Sequence, residues 1–198
     1  KNIWIATSNG INCIDYKTKK ITRFYPKSIN KECTTNIINR LLKHSDGNVY
    51  AFCNRSVFKC SMNQTVETVF PDIAIPSPTY SVAQAPDKDI YIGTESNGLY
   101  IYSENWKLKK HVPIDGIIAT ILPDNNGDIW LGLDETGICL FNKNKQTFTW
   151  LHKDNTNLNN NSIRTFVSYG DSSILVGTFR ELNILNKKEL TITPANIN

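Results

Sequence analysis

No apolar run in this chain of 198 residues approaches the roughly 20 that cross a bilayer as a helix. Nor does any useful window show the i, i+3, i+4, i+7 recurrence of an amphipathic helix, which leaves little room for helical architecture. Arginine is scarce, five among the 22 basic residues, and the basic clusters Lys17-Lys19-Lys20, Lys107-Lys109-Lys110, Lys143-Lys145 and Lys187-Lys188 contain none. Despite a formal charge of +4, that composition fits solvated turns and protected edge strands and argues against nucleic acid as a partner. There is no CxxC spacing, no GxxxxGK(S/T) phosphate loop and no nucleophile elbow. His44, His111 and His152 never approach metal-ligand spacing, so they read as solvated or edge histidines, and no cofactor or metal is expected.

What the chain does contain is one pattern, clearest over Asp124 to Phe141. The Asn126-Gly127 pair tolerates the positive φ of a tight turn and opens onto Ile129-Trp130-Leu131-Gly132-Leu133. Gly137 then precedes a second apolar run, Ile138-Cys139-Leu140-Phe141, so the stretch reads as a β-hairpin. Related stretches lie at Lys1 to Tyr16, Asp46 to Ser61, Asp87 to Tyr102 and Gly170 to Leu185. The anchors Trp4, Tyr50, Tyr91, Trp130 and Leu175 recur 46, 41, 39 and 45 residues apart. Four short strands in a period of that length indicate β-propeller blades. The 24 asparagines supply polar turns between them. Asp124-Asn125-Asn126-Gly127-Asp128 resembles a calcium loop only superficially: the alternating carboxylates and distal glutamate are missing, and a hairpin turn is expected.

The expected architecture is therefore all-β, about five repeats of four antiparallel strands, with blades at approximately 1–35, 36–79, 80–116, 117–161 and 162–198. First strands are expected at 36–42, 80–85, 117–122 and 162–169. Blade one lacks its first strand, and the tail Pro194-Ala195-Asn196-Ile197-Asn198 is short and proline-led for supplying it, so an open arc of a larger ring is expected. Four of the five cysteines, Cys13, Cys33, Cys53, Cys60 and Cys139, fall within expected strands as small buried hydrophobes. Cys53 and Cys60 flank the Asn54-Arg55-Ser56 turn, but a disulfide between them is the less favoured reading, because cross-strand pairs need close, specific geometry.

The segments GDIWLGL with GICLF, GTESNGLYIY, and the lead-in Leu158-Asn159-Asn160-Asn161-Ser162-Ile163-Arg164 resemble the blade repeat of two-component regulator propellers. Cys53 and Leu133 stand where that repeat has threonine, and Leu175 where it has an aromatic residue. The resemblance implies a non-enzymatic sensory segment outside the cytoplasmic membrane, commonly in the periplasm, responding to glycan fragments. It also implies partners: the remaining blades of a longer receptor, an oligosaccharide ligand, and a second receptor copy in a homodimer. The kinase and DNA-binding domains of such receptors have no counterpart in these residues.

In a propeller the second-to-third strand turns and the fourth-to-first links emerge on one face, where ligands usually bind. The turns carry Asn54 and Arg55, Glu95 and Asn97, Asp134 and Glu135, and Arg180 and Glu181 at equivalent positions. Their amide and charged groups are candidates to hydrogen-bond a sugar or carboxylate; as ordinary polar loop tips they would do nothing of the kind. Trp106 and Trp150 could stack on a sugar ring but fall in or beside outer strands, where packing or partial edge exposure is the more economical reading. Two alternatives remain: a structural or dimerisation scaffold without its own ligand, and, less favoured, a lyase- or lactonase-type propeller enzyme, which would need reactive groups converging near the axis.

Overall fold

The computed structural model describes residues 2–31, 33–54, 56–61, 63–69, 75 and 77–195. Blade one has three strands, β1 (Asn2–Thr7), β2 (Gly10–Asp15) and β3 (Ile21–Phe24), followed by the one-turn helix α1 (Pro26–Ile29). Blade two comprises β4 (Arg40–Lys43), β5 (Val49–Cys53), β6 (Ser56–Cys60) and β7 (Val66–Thr68). Blade three runs β8 (Thr79–Gln84), β9 (Ile90–Thr94), β10 (Leu99–Tyr102), β11 (Leu108–Val112). Blade four is β12 (Ile118–Pro123), β13 (Asp128–Leu133), β14 (Gly137–Asn142), β15 (Thr147–Leu151). Blade five closes the series with β16 (Ile163–Tyr169), β17 (Ser173–Thr178), β18 (Leu182–Asn186) and β19 (Ile192–Pro194). Within each sheet the strands lie in chain order and pair antiparallel.

The first strand of blade two, expected over 36–42, begins only at Arg40, because the backbone before it is engaged elsewhere. The Asn36 carbonyl accepts from the Gly10 N–H at 2.8 Å and the Ile38 N–H donates to Thr7 at 3.0 Å, tying 36–38 to a turn of blade one before the ladder begins at Arg40. The Cys53–Cys60 pairing is also excluded by register: Cys53 stands opposite Ser56 and Cys60 opposite Val49, at the two ends of the hairpin. Blade two's fourth strand is expected over 66–70 from its apolar ends, and the Phe70 end lies outside the described residues.

The second strands carry apolar side chains on both faces, and period-two alternation sends them to two different neighbours. Ile129, Leu131 and Leu133 pack in the core shared with blade three, whereas Trp130 packs in the core shared with blade five. In blade three, Ile90 and Ile92 face blade two and Tyr91 faces blade four. Tyr50 and Phe52 face blade three while Ala51 and Cys53 face blade one. Four cores thus lie between five blades, and the anchors hold equivalent places in them: Tyr50, Tyr91 and Trp130 fully buried, Trp4 half-buried.

The glycine two residues after the anchor has a packing reason. A Cβ on Gly132 would stand 2.5 Å from Ile163 Cγ2 and 2.6 Å from Thr120 Cγ2, and one on Gly93 would stand 2.6 Å from Ile118 Cγ2. Ile163 and Ile118 belong to the first strands of the following blades, so the missing side chain lets adjacent sheets approach. Blade two carries Phe52 at this place and fills the space against Trp106, ring centroids 6.2 Å apart. Gly132→Ala is expected to cost about 1–3 kcal/mol in denaturant unfolding. Gly177→Ala, whose Cβ meets chiefly Thr165 of its own sheet at 2.7 Å, should cost less; equal losses would remove the inter-blade argument.

The array is open. The Ala195 N–H donates to Leu182 at 2.9 Å, so the tail as far as Ala195 stays on blade five and adds no strand to blade one. Ile3 and Ile5 on one end face and Val167 and Tyr169 on the other are exposed. Leu175, the fifth anchor, is only half-buried where the other blades present their anchor to a neighbour. Apolar end faces of this kind should make the isolated chain associate as its concentration rises. Sedimentation velocity on the wild type and on Val167→Asp/Tyr169→Asp checks this: self-association weakened by the double variant is expected, and a wild type that stays monomeric would contradict it.

Candidate functional site

The hydrogen bonds place the second-to-third strand turns and the links on one face of the arc. Asn54 accepts from the Thr79 N–H at 3.2 Å, the Glu95 N–H donates to Pro78 at 3.0 Å, Asp134 to Ile117 at 3.0 Å and Gly137 to Asn161 at 2.8 Å. Each turn is therefore stitched to a link entering its own blade or the next.

On this face the candidate residues stand in four separate turns, and no hydrogen bond or ion pair joins two of them among the described residues. Asn54 is in the left-handed region with φ of 53°. Arg55 lies outside the described residues. Glu95 points to solvent, while Asn97 is engaged, its Nδ2 donating to the Tyr100 hydroxyl at 2.7 Å and its carbonyl accepting from His111 Nε2 at 2.7 Å. Asp134 Oδ2 accepts from Arg164 Nη1 at 3.0 Å, an ion pair between blades four and five, and the Arg164 guanidinium lies 5.5 Å over the Phe179 ring. Glu135 is exposed in a left-handed turn position, φ 64°. Arg180 is exposed, with its N–H held by Thr178 Oγ1 at 3.2 Å; Glu181 accepts from Asn159 Nδ2 in the incoming link.

Beside the Asp134–Glu135 turn the structure opens a cleft of about 360 Å³ between blades three and four, lined by Pro113, Ile114, Asp115, Thr136, Phe148 and Trp150. Sheets arranged radially diverge outward, so outer strands cannot cover one another as the inner ones do. On β15, Phe148 and Trp150 are two residues apart and share one face, opposite Phe141 and Cys139 of the core shared with blade three. Phe148 stacks on Phe141 with ring centroids 5.0 Å apart, and Trp150 remains 37% exposed. Asp115 comes from the link and Thr136 from the turn, which brings one carboxylate and one hydroxyl to an aromatic wall. The partial exposure of Trp150 is the edge exposure expected of an outer-strand aromatic, whereas the cleft beside it depends on the spacing of two blades, which the sequence does not show.

The opposite face serves cohesion. Each third-to-fourth strand turn reaches back to the preceding blade: Gln64 Nε2 to Asp15 Oδ2 at 3.3 Å, Glu104 to the Ser45 hydroxyl at 2.8 Å, Lys143 to both Asp87 and Asp89 at 2.5 Å, and Lys187 to Asp124 at 2.9 Å. Lys109 adds two contacts of 2.8 Å to Asp89 within blade three. Burial alone would raise the Asp87 and Asp124 carboxyls, but Lys143 and Lys187, aided by backbone N–H groups, hold both below the usual carboxylate range. Lys143 and Lys187, read from sequence as solvated turn charges, are thus inter-blade clamps; a charge cluster in sequence does not reveal which blade it reaches. The carboxylates of the Asp124–Asp128 turn are spent in the same way, Asp124 on Lys187 and Asp128 on Asn142 and Asn126.

A second cleft of about 690 Å³ lies between blades two and three, with His44, Asp46, Tyr50, Lys59, Glu67 and Trp106 among its walls. His44 is buried, contrary to its reading as an edge residue, because it stacks on Trp106 at 5.8 Å and meets the Tyr50 edge at 5.0 Å. Trp106 is likewise in the core. Burial acts to raise the Asp46 carboxyl, but hydrogen bonds from the Asn48 N–H and the Tyr50 hydroxyl, both 2.8 Å, with His44 Nδ1 at 3.0 Å, outweigh it and bring the carboxyl down to about 2. Burial and that same carboxylate push the Tyr50 phenol up to about 12.

Sheets of four antiparallel strands, stacked through shared cores, define a β-propeller array. No protein-family model matches the chain, and no curated protein does. Among solved structures it superposes on the extracellular domain of a protein described as a one-component system from B. thetaiotaomicron, with TM-score 0.79 and 15% identity over 100% of this chain and 30% of the other. The extracellular domain of a protein described as a hybrid two-component system from the same organism gives TM-score 0.73 and 24% identity over 100% of this chain and 27% of that one. PorZ, a surface component of the type-IX secretion system of Porphyromonas gingivalis, gives 0.73 and 13% identity over 96% of this chain and 31% of its own. At these identities the likeness is one of fold, and the chain spans less than a third of each.

Asp46 carries a pH prediction. Its folded pKa lies below the ordinary carboxylate value, so its stabilisation is fully present above about pH 4 and is lost as the pH falls toward about 2. The melting midpoint of the wild type should drop more steeply over that interval than that of Asp46→Asn; parallel acid limbs would show that the hydrogen bonds at Asp46 do not act in this way.

Proposed function

We propose that this chain is a sensory, non-enzymatic propeller segment of an extracytoplasmic receptor region, periplasmic in location, belonging to a membrane-bound two-component regulator. The carrying observation is the fold: all 198 residues superpose on extracellular domains described as parts of one- and two-component systems. The blade-repeat resemblance at residues 87–102 and 124–166 points the same way. Further blades of the parent protein would cover the apolar end faces, and a homodimer of the receptor would follow the same family pattern.

The ligand in this reading is an oligosaccharide, and the site offered to it is the cleft beside Asp134 and Glu135. The C–H face of a pyranose suits the exposed indole of Trp150, while Asp115 and Thr136 are placed to exchange hydrogen bonds with ring hydroxyls. Because Pro113 to Asp115 and Phe148 to Trp150 belong to adjacent blades, a ligand seated there would favour one inter-blade spacing over others, which is what a sensor requires. A scaffold role without a ligand is the second reading, favoured by the exposed end faces alone.

A ligand that binds only the folded form raises the melting midpoint, so a thermal-shift screen against an oligosaccharide panel tests the proposal. A saturating oligosaccharide should raise the midpoint, and Trp150→Ala should weaken binding by about tenfold or more, the order expected on losing a stacked aromatic. The midpoint without ligand should change little, since Trp150 is partly exposed. No response from the intact extracytoplasmic region to any member of the panel would favour the scaffold, and an undiminished response in Trp150→Ala would move the site elsewhere.

A further inference from the structure

All five cysteines are buried and carry free thiols. Two of them meet. Cys33 sits in the link entering blade two, its N–H donating to the Asn30 carbonyl at 3.0 Å just after α1. Cys53 ends β5, and its Sγ lies 3.7 Å from Cys33 Sγ and 3.3 Å from the Thr35 carbonyl oxygen. The sulfurs are thus in van der Waals contact inside the core shared by blades one and two. A disulfide requires about 2.05 Å between them, which asks for a modest approach of the link.

We propose that Cys33 and Cys53 are a disulfide-forming pair that staples the blade one to blade two link onto the second strand of blade two. The step consumes a low-molecular-weight or protein disulfide as oxidant. The thiolate of one cysteine attacks a sulfur of that disulfide and expels one thiol; the other cysteine then attacks the mixed disulfide and expels the second. Two electrons pass to the oxidant, and the two protons leave with its thiols.

Burial, reinforced by the neighbouring Cys33, pushes the Cys53 thiol up to about 12, so few thiolates exist in the folded state at neutral pH. The bond therefore forms while blade two is assembling or when the link opens, and once formed it is shielded from reduction by the same burial. Its structural consequence is specific. The link is already tied to the blade one turn by the Gly10 to Asn36 and Ile38 to Thr7 hydrogen bonds. A covalent bond at Cys33 would fix its other side to blade two, so the link would stay with blade two and the junction could open only by breaking its hydrogen bonds to blade one. Cys60 belongs to the same core and Cys13 lies near enough to it to act on it electrostatically, so these two form the internal comparison for selectivity.

The sulfur contact belongs to the chain itself and does not rest on the sensory reading. The test is refolding of the full chain in oxidised glutathione, alkylation in denaturant, and peptide mapping. A single cross-link between Cys33 and Cys53, an intact mass lower by two hydrogens, and three alkylated thiols are expected. The oxidised form should melt roughly 5–10 °C above the reduced form, from the closure of a loop of about 20 residues in a chain of this size. Cys33→Ala should abolish both the cross-link and the difference. Because Cys33→Ala could perturb folding, the mapping on the wild type decides: five alkylated thiols after oxidative refolding, or a cross-link at Cys13 and Cys60 instead, overturns the proposal.

Discussion

No blade of this protein owns a core. A four-stranded sheet is apolar on both faces along its middle strands and can satisfy neither alone, so every hydrophobic cluster is shared by two blades. Stability is therefore a nearest-neighbour property, and the side chains that matter most are those at the contact: Tyr50, Tyr91 and Trp130 as large anchors, and Gly93 and Gly132 as the places where the next sheet must come close. The same logic explains the exposed ends. Ile3, Ile5, Val167 and Tyr169 are what an inter-blade core looks like with one of its blades removed.

The two faces of the arc divide the remaining work. One face spends its charges on cohesion, with Lys143, Lys187, Glu104 and Gln64 each leaning back onto the preceding blade. The Lys143 side chain is 26% exposed and its Nζ meets two carboxylates, a setting in which an ion pair counts for more than an exposed pair does. The other face carries turns and links joined backbone to backbone, so its side chains are left with fewer structural duties. Glu95, Glu135 and Arg180 are exposed there, and the aromatic cleft between blades three and four opens beside them. A face whose backbone is fixed while its side chains remain available is the one suited to recognition.

The anchors also reach from the inter-blade cores to the clamp face. Tyr50 donates to Asp46 at the clamp end of its blade, and Lys143 and Asp124 lie close enough to the buried Tyr91 hydroxyl and the Trp130 indole to interact electrostatically with them. An aromatic residue with a polar edge can fill the inter-blade core and still present that edge to the polar rim, which a leucine cannot. Blade five, with Leu175 at the anchor position, lacks this device on the face that no other described blade covers.

The sequence by itself determined the class of structure, the number of repeats and the identity of the anchors. Those follow from local chemistry: alternation of apolar residues, glycine and asparagine at turns, and a period near 40 residues. It also assigned the candidate residues to four second-to-third strand turns, and the seven of them that the structure describes stand there. Tertiary structure alone decided which residues meet across blades. The Lys143 and Lys187 clamps, the burial of His44, the Cys33 and Cys53 contact and the Trp150 cleft all join positions from different strands or different blades. Such contacts depend on how far one sheet is rotated and spaced from the next, and that is set by the summed packing of four shared cores, which no single stretch of the chain encodes.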